Sequence, residues 1–369
     1  MKYLIALFLL IIDFSSVVSA QYLGAYTDYM GYFYIFDKGK NTKVEDQAPQ
    51  SFKIGGNCVL YITSSGHLNI YYNDKVEMLE KSGATEYYAN DYLAAYSIYE
   101  KLKVIYEGKV IDLGSRITDY YASDSMIAFY DKNAEALKIF YKGEVQEIES
   151  GMLGNPVRKV SIGDNILAYI SERTGDFKIW YQGNIYKIDQ NVENTRFKAG
   201  RDIVAFNDDI EQNFKVFYKG EVYVLEDFTA KSFRTGDDFV AYINQADEFK
   251  IFYKNESSLI NTFSPQDYMA KDNILVYIQD NRFKSWYEGD IIEIEPFVPS
   301  NYKIDWNTIA YLDNSNRIWI YQKGVRKYFA NEFINSFEVI RDLIQLNVKV
   351  NRNIIYYDGK FYEGQSLFK

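Results

Sequence analysis

Apolar runs of four to six residues alternate with short polar breaks along nearly the whole chain, and the runs recur as a phrase. Its clearest form is FKVFYKGEVYVLE (214–226), with close copies at 137–149, 177–189 and 283–295. Each copy holds four runs, as in RFKAG, DIVAF, FKVFY and EVYVLE within 196–226. They are rich in Val, Ile, Tyr and Phe and bounded by Gly, Asn or Asp, which predicts strands and not helices. In the third run Phe214, Val216 and Tyr218 face one way and Phe217 the other; in the fourth, Val222 and Val224 oppose Tyr223 and Leu225. Both faces are largely apolar, so each small sheet must be covered on both sides.

The aromatic of the FYxG phrase serves as an anchor. Anchors fall at Tyr72, Tyr106, Tyr141, Tyr181, Tyr218, Tyr253, Tyr287, Tyr321 and Tyr357, with Asp37 in a weaker first copy. Intervals are 35, 34, 35, 40, 37, 35, 34, 34 and 36 residues. A glycine sits two residues on in most copies; Gly324 comes three on, and Asp74 and Asn255 replace it twice. These residues suit a tight hairpin with positive φ. The pattern predicts an all-β fold, a β-propeller of about ten four-stranded repeats of roughly 35 residues. An AY-containing second strand (ILAYI, 166–170) followed by FKIWYQG (177–183) resembles secreted propellers of the TolB-like or WD40-like kind. That resemblance implies the architecture only.

The propeller is expected to span 21–369. The long interval around GMLGNP (151–156) offers a four-plus-six split as the alternative, but no linker composition marks it. The first copy lacks a clear first strand, and the last copy is degenerate.

Residues 1–20 read as a signal peptide: Lys2, an apolar run over 4–12, then Val18-Ser19-Ala20 as a cleavage site. The run is too short to span a bilayer, and no other segment could, so no transmembrane segment is expected after cleavage. With one cysteine (Cys58), no internal disulfide can form. Together with the Lys, Asn, Ile and Tyr bias, this points to an exported bacterial protein, periplasmic or secreted. Cys58 reads as a core residue. Asn255-Glu256-Ser257 is a formal glycosylation sequon on a hairpin.

Net charge is −10, with 51 acidic and 41 basic residues, which disfavours nucleic-acid binding. Glu45, Glu80, Glu149, Asp189, Glu226 and Glu295 end fourth strands, where charge is expected to deter edge-to-edge pairing.

Catalytic patterns are sparse. His67 is the only histidine and falls at a hairpin tip; there is no GxSxG. No cofactor and no metal site are expected. A carboxylate pair of glycosidase type stays open, because carboxylates are abundant. The 36 Tyr, 25 Phe and 4 Trp, with Trp180, Trp286 and Trp319 in third strands, suit either blade packing or sugar platforms. A sugar site repeated per blade would bring polar partners at a constant offset, and none is evident. The first strand should line the central channel. After its leading aromatic stand Lys53, Lys198, Arg234 and Lys303, a candidate anion-binding set; elsewhere the position holds Tyr88, Tyr121, Ser161, Met269 or Glu338.

The expected function is a non-enzymatic extracytoplasmic scaffold that presents loops such as SERTGD (171–176), DKNAEA (131–136) and NDDIEQN (207–213) to a protein or peptide. The first alternative is a carbohydrate-binding, lectin-like propeller, marked by aromatic and polar groups repeated at one exposed position. The second is a glycan hydrolase or lyase, marked by one cluster of carboxylates in the channel.

Overall fold

The computed structural model describes residues 23–151, 156–190, 192, 195–322, 324–329, 334–348 and 352–363. The expected signal peptide lies outside them, as does most of the 151–156 segment. The described residues form ten antiparallel sheets in chain order, nine of four strands and one of three. Blades 1 to 10 span 23–45, 51–80, 86–114, 117–150, 157–189, 197–226, 232–261, 267–295, 301–328 and 334–363. Blade 1 begins at its second strand, Leu23–Thr27.

Neighbouring blades touch through their first strands, as Phe197–Ala199 does with Val157–Ile162 and Ser232–Thr235. First strands therefore line the channel, and fourth strands form the rim. The ring closes where Tyr26, Tyr34 and Phe36 of blade 1 share a core with Leu343 and Ile355 of blade 10. There the Asn353 side-chain amide donates to the Thr27 carbonyl at 3.1 Å.

Cores lie between blades. Trp180 of blade 5 packs edge-on against Tyr141 of blade 4, and Trp286 of blade 8 lies between Phe239 and Tyr253 of blade 7. This is the packing role of the aromatics. Cys58 is also core, and burial pushes its thiol up to about 12. The fourth strands depart from the two-faced expectation: Val222 and Val224 are exposed. Blades diverge radially, so the outermost strand outruns its neighbour's cover.

Two sequence expectations need correction. In blade 9 the register pairs Thr308 with Gln322, whereas blade 8 pairs Ile274 with Tyr287. Gln322 is thus the anchor, Tyr321 takes the place of Trp286, and Gly324 is in step with the other hairpin glycines. The fourth-strand carboxylates are not an edge deterrent. In blades 1 to 8 a bulge sits near the end of the fourth strand, as at Leu225, where Phe214 pairs with Glu226 but Lys215 with Val224; in blade 4 it falls at Ile148, before Glu149. The bulge re-aims the terminal side chain toward the next blade. Glu226 accepts from Tyr242 at 3.0 Å and Lys250 at 2.9 Å; Glu80 accepts from Tyr96 at 3.1 Å and Lys103 at 2.6 Å. Glu45–Tyr61, Glu149–Tyr169 and Glu295–Tyr311 repeat the latch. Where phenylalanine replaces the tyrosine, at Phe129 and Phe206, the preceding blade ends in Gly114 and Asp189. A polar pair at constant offset does exist, then, but it is an inward brace between blades and not a sugar site.

Candidate functional site

Alternating turns give the ring two faces. One carries the turns between first and second strands and the third-to-fourth hairpins. The other carries the second-to-third hairpins and the connectors between blades.

At the first face the turns converge on the channel. Backbones of adjacent turns touch: a Cβ on Gly163 would meet the Gly200 carbonyl oxygen at 1.6 Å, and one on Gly200 would meet that of Gly236 at 1.9 Å. Neighbouring turns hydrogen-bond directly, Asn165 N–H to the Arg201 carbonyl at 3.0 Å and Asp237 N–H to that of Asp272 at 2.6 Å. The next residue in each turn is then forced into the mouth. In blades 3 to 10 these are Asp91, Asp124, Asp164, Arg201, Asp237, Asp272, Trp306 and Arg341; in blade 2 the position is Gly56.

Arg201 bridges Asp164 at 3.3 Å and Asp237 at 2.6 Å. Arg341, 3% exposed, pairs with Asp91 across the ring, its guanidinium 4.7 Å from the Trp306 ring centre. Lys271 pairs with Asp305 at 2.8 Å. Acids outnumber bases here, and the cost appears as proton affinity. Burial, then Asp91, Asp164 and Asp272, raises Asp124 to about 8. Burial raises Asp237 to about 7 against the pull of Arg201, and burial with Asp305 raises Asp272 to about 7. A cavity of about 250 Å³ opens among Asp124, Asp164, Lys198, Arg201, Asp237 and Asp272. Among the described residues no group of three or more His, Cys, Asp or Glu is arranged to hold a metal ion.

Sequence reasoning missed this mouth. Its signal was the two-residue phrase after each first strand (DN at 164, RD at 201, DD at 237, RD at 341). It looks like ordinary turn chemistry, and only ring closure turns it into a cluster.

The four sequence-chosen cations all lie on first strands: Lys53 on Ser51–Ile54, Lys198 on Phe197–Ala199, Arg234 on Ser232–Thr235 and Lys303 on Asn301–Asp305. They do not form one set. Lys198 faces the mouth carboxylates. Lys303 is engaged by Glu338 at 2.5 Å. Arg234 lies 5.3 Å from the Tyr268 ring centre on the next blade. Arg196 over Phe233 (5.4 Å) and Lys159 over Phe197 (4.7 Å) repeat that geometry, so a channel cation braces the next blade's leading aromatic. His67 is a hairpin residue, as expected, its backbone N–H bonded to Thr63 Oγ1 at 3.0 Å.

The second face is unlike the first. Tyr99 on the blade 3 hairpin is 87% exposed, and Phe228 and Phe263 on successive connectors are 67% and 71% exposed. Ile210 and Met30 add apolar surface on hairpins of the same face.

A family model described as a 10-bladed beta propeller domain matches residues 17–362. The chain belongs to the ten-bladed β-propeller family. The match to this family starts inside the expected signal peptide. A search of curated protein sequences found no match. Among solved structures, this ten-bladed propeller is similar to the CRINKLY WD40 ectodomain of the Arabidopsis thaliana receptor kinase ACR4. Identity is 12%, over 68% of this chain and 99% of that one, with TM-score 0.36. It is similar to apo AztD from Citrobacter koseri at 11% identity, over 84% and 93%, with TM-score 0.36. It is also similar to Prp20p from Saccharomyces cerevisiae at 8% identity, over 60% and 80%, with TM-score 0.34. Among its described residues, no helix is long and apolar enough to cross a membrane.

Proposed function

We propose that this propeller is a non-enzymatic scaffold that works outside the cytoplasm and binds a protein or peptide on the face of second-to-third hairpins and connectors. The observation that carries the reading is the uncovered aromatic surface there. Phe228 and Phe263 occupy the same connector position in successive blades, and Tyr99 stands free on a hairpin. Large apolar side chains clustered on one face mark contact surfaces. Of the four channel cations, Arg234 enters the reading as a charged contact for an acidic partner segment that reaches into the channel; Lys198, at the mouth, and Lys53 and Lys303 contribute less. The mouth carboxylates are the channel cluster that a glycan hydrolase or lyase would need; the non-enzymatic reading takes them as cohesive, because Arg201 holds Asp164 and Asp237, Arg341 holds Asp91 and Lys271 holds Asp305. The extracytoplasmic part rests on residues 1–20, and N-terminal sequencing of the native protein that found Met1 retained would count against it.

A carbohydrate reading draws on the same surface, because Phe297 continues the connector series begun by Phe228 and Phe263. One experiment separates the two. The protein is selected against a peptide library and a glycan array in parallel, beside the double variant F228S/F263S and the opposite-face variant D290S. Peptide binding that falls at least about tenfold in the double variant and survives D290S supports the proposal, since a central aromatic anchor carries 1–2 kcal/mol or more. Selective glycan binding with the same dependence replaces it with the carbohydrate reading. Ligands that bind the double variant as well as the parent overturn the assignment of the face.

A further inference from the structure

The middle residue of the third strand is Ile or Val in nine blades, among them Ile251 in blade 7 and Ile320 in blade 9, and Ser285 in blade 8. The registers make these positions equivalent: Ala241 pairs with Ile251, Val276 with Ser285, and Ala310 with Ile320. Two further changes meet Ser285 across the next gap. Tyr321 stands where blade 8 has Trp286, and the anchor is Gln322, whose amide is turned away to Thr308 Oγ1 at 2.8 Å and the Asp342 carbonyl at 3.1 Å.

The gap between blades 7 and 8 is filled by Trp286. The gap between blades 8 and 9 is not. It holds a cavity of about 440 Å³ whose walls include Ile274, Ile292, Ile309, Tyr287 and Tyr321. Ser285 is 2% exposed and its Oγ has no hydrogen-bond partner. Asn307 also lines the cavity, and its buried Oδ1 is likewise without a partner. A buried polar atom left unmade costs about 1–3 kcal/mol. Water could meet the two atoms but would be poorly held by walls so largely apolar, and such water is readily displaced.

We propose that this cavity is a binding site for a small uncharged aromatic molecule bearing one hydroxyl or ring N–H. Among the described residues no charged side chain lines it, which favours an uncharged ligand. Asn307 Oδ1 requires a donor. Ser285 Oγ can give or accept. The two tyrosine rings favour a planar body. The site opens on the face of third-to-fourth hairpins, away from Phe228 and Phe263, so it is independent of the partner-binding proposal.

The test uses 2-naphthol as the probe, followed by fluorescence, with naphthalene and naphthalene-2-sulfonate as comparators. The intact protein is expected to bind 2-naphthol saturably, naphthalene more weakly and the sulfonate not at all. S285A keeps the cavity and removes one bond, so affinity falls roughly 2- to 10-fold. S285I restores the side chain of the other blades and abolishes binding, with the fold checked by circular dichroism. A crystal soaked with 2-naphthol keeps the proposal open to refutation even where S285I fails to fold. Density outside this cavity, no saturable binding by the parent protein, or undiminished binding by a folded S285I each overturns it.

Discussion

Arg341 is 3% exposed, pinned among Asp91, Trp306 and Tyr92 at one end of the channel; Phe263, on the opposite face, is 71% exposed. The same strands supply both ends. The difference lies in what joins them. Turns between first and second strands are two or three residues long, as at 341–342 and 236–238, and several are tied to their neighbours by backbone hydrogen bonds. Connectors such as 262–266 are longer, and Gln266 there bonds back to a single blade, its N–H meeting the Ile278 carbonyl and its Nε2 reaching Asn281, both at 2.8 Å. A short turn under a closing ring must bury what it carries, so charge there is spent on cohesion. A longer connector can display what it carries. The comparison teaches that the mouth is built for stability and the opposite face for contact.

The largest expected effect comes from breaking the mouth. Arg341→Ala leaves Asp91 without its cation in a buried setting and should cost about 3–5 kcal/mol. Urea unfolding measures it. Arg282→Ala, which removes an exposed pair with Glu293, should cost no more than about 1 kcal/mol. Equal losses in the two variants would remove the distinction between a cohesive mouth and an ordinary surface. On the other face, F228S/F263S should leave unfolding within about 0.5 kcal/mol of the parent while weakening partner binding. A large loss of stability would mean that these rings are packed and not displayed.

Protons offer a gentler way to separate the ends. Asp124, Asp237 and Asp272 are raised to about 8, 7 and 7, above an unfolded value of roughly 3.9. The folded state therefore holds protons that the unfolded state releases. The stability these groups contribute is whole below about pH 4, is lost steadily as pH rises, and is gone once pH has passed through the folded values of about 7 to 8. Asp124 is faced by Asp91, Asp164 and Asp272, so its ionisation is opposed from three blades. Stability measured at about pH 5 should exceed that at about pH 9, and Asp124→Asn should flatten the difference. A profile flat in the parent protein would show that the mouth carboxylates stay ionised throughout.

How much of this was legible follows from the period. The strands, hairpins and blade count could be read because one phrase repeats, and each repeat must solve the same packing problem. The ninth anchor was misplaced because Gln322 breaks the phrase while Tyr321, one residue earlier, offers a matching aromatic. The Glu–Tyr latches were hidden because their direction depends on a bulge at residues such as Leu225, which no single-strand pattern displays. The mouth was hidden for another reason. Asp124 and Asp272 are four blades apart, and only closure of the ring makes them neighbours. Ser285 was in plain view, the one polar residue in a column of Ile and Val, yet it became informative only when the register showed that nothing fills its place.

The smallest effect concerns Lys198 and Arg234, which sit on adjacent first strands but answer to different ends. Lys198 lines the mouth cavity together with the carboxylates, so an anion that approached it would meet their negative charge as well. Arg234 donates to the Phe233 carbonyl at 3.0 Å and lies against Tyr268, which leaves its charge only partly spent. An anionic ligand in the channel would gain from each no more than a partly exposed ion pair supplies, about 0.2–1 kcal/mol. The double variant K198A/R234A should therefore weaken binding of a sulfated oligosaccharide by only about 2- to 10-fold. The difference should fade at high ionic strength, because exposed charges are screened. Single variants sharpen the comparison: R234A should account for most of the loss, since an anion near Lys198 is also repelled by the mouth carboxylates. Affinity unchanged in the double variant at low salt would reduce both cations to braces between blades, and the channel would then be structural from end to end.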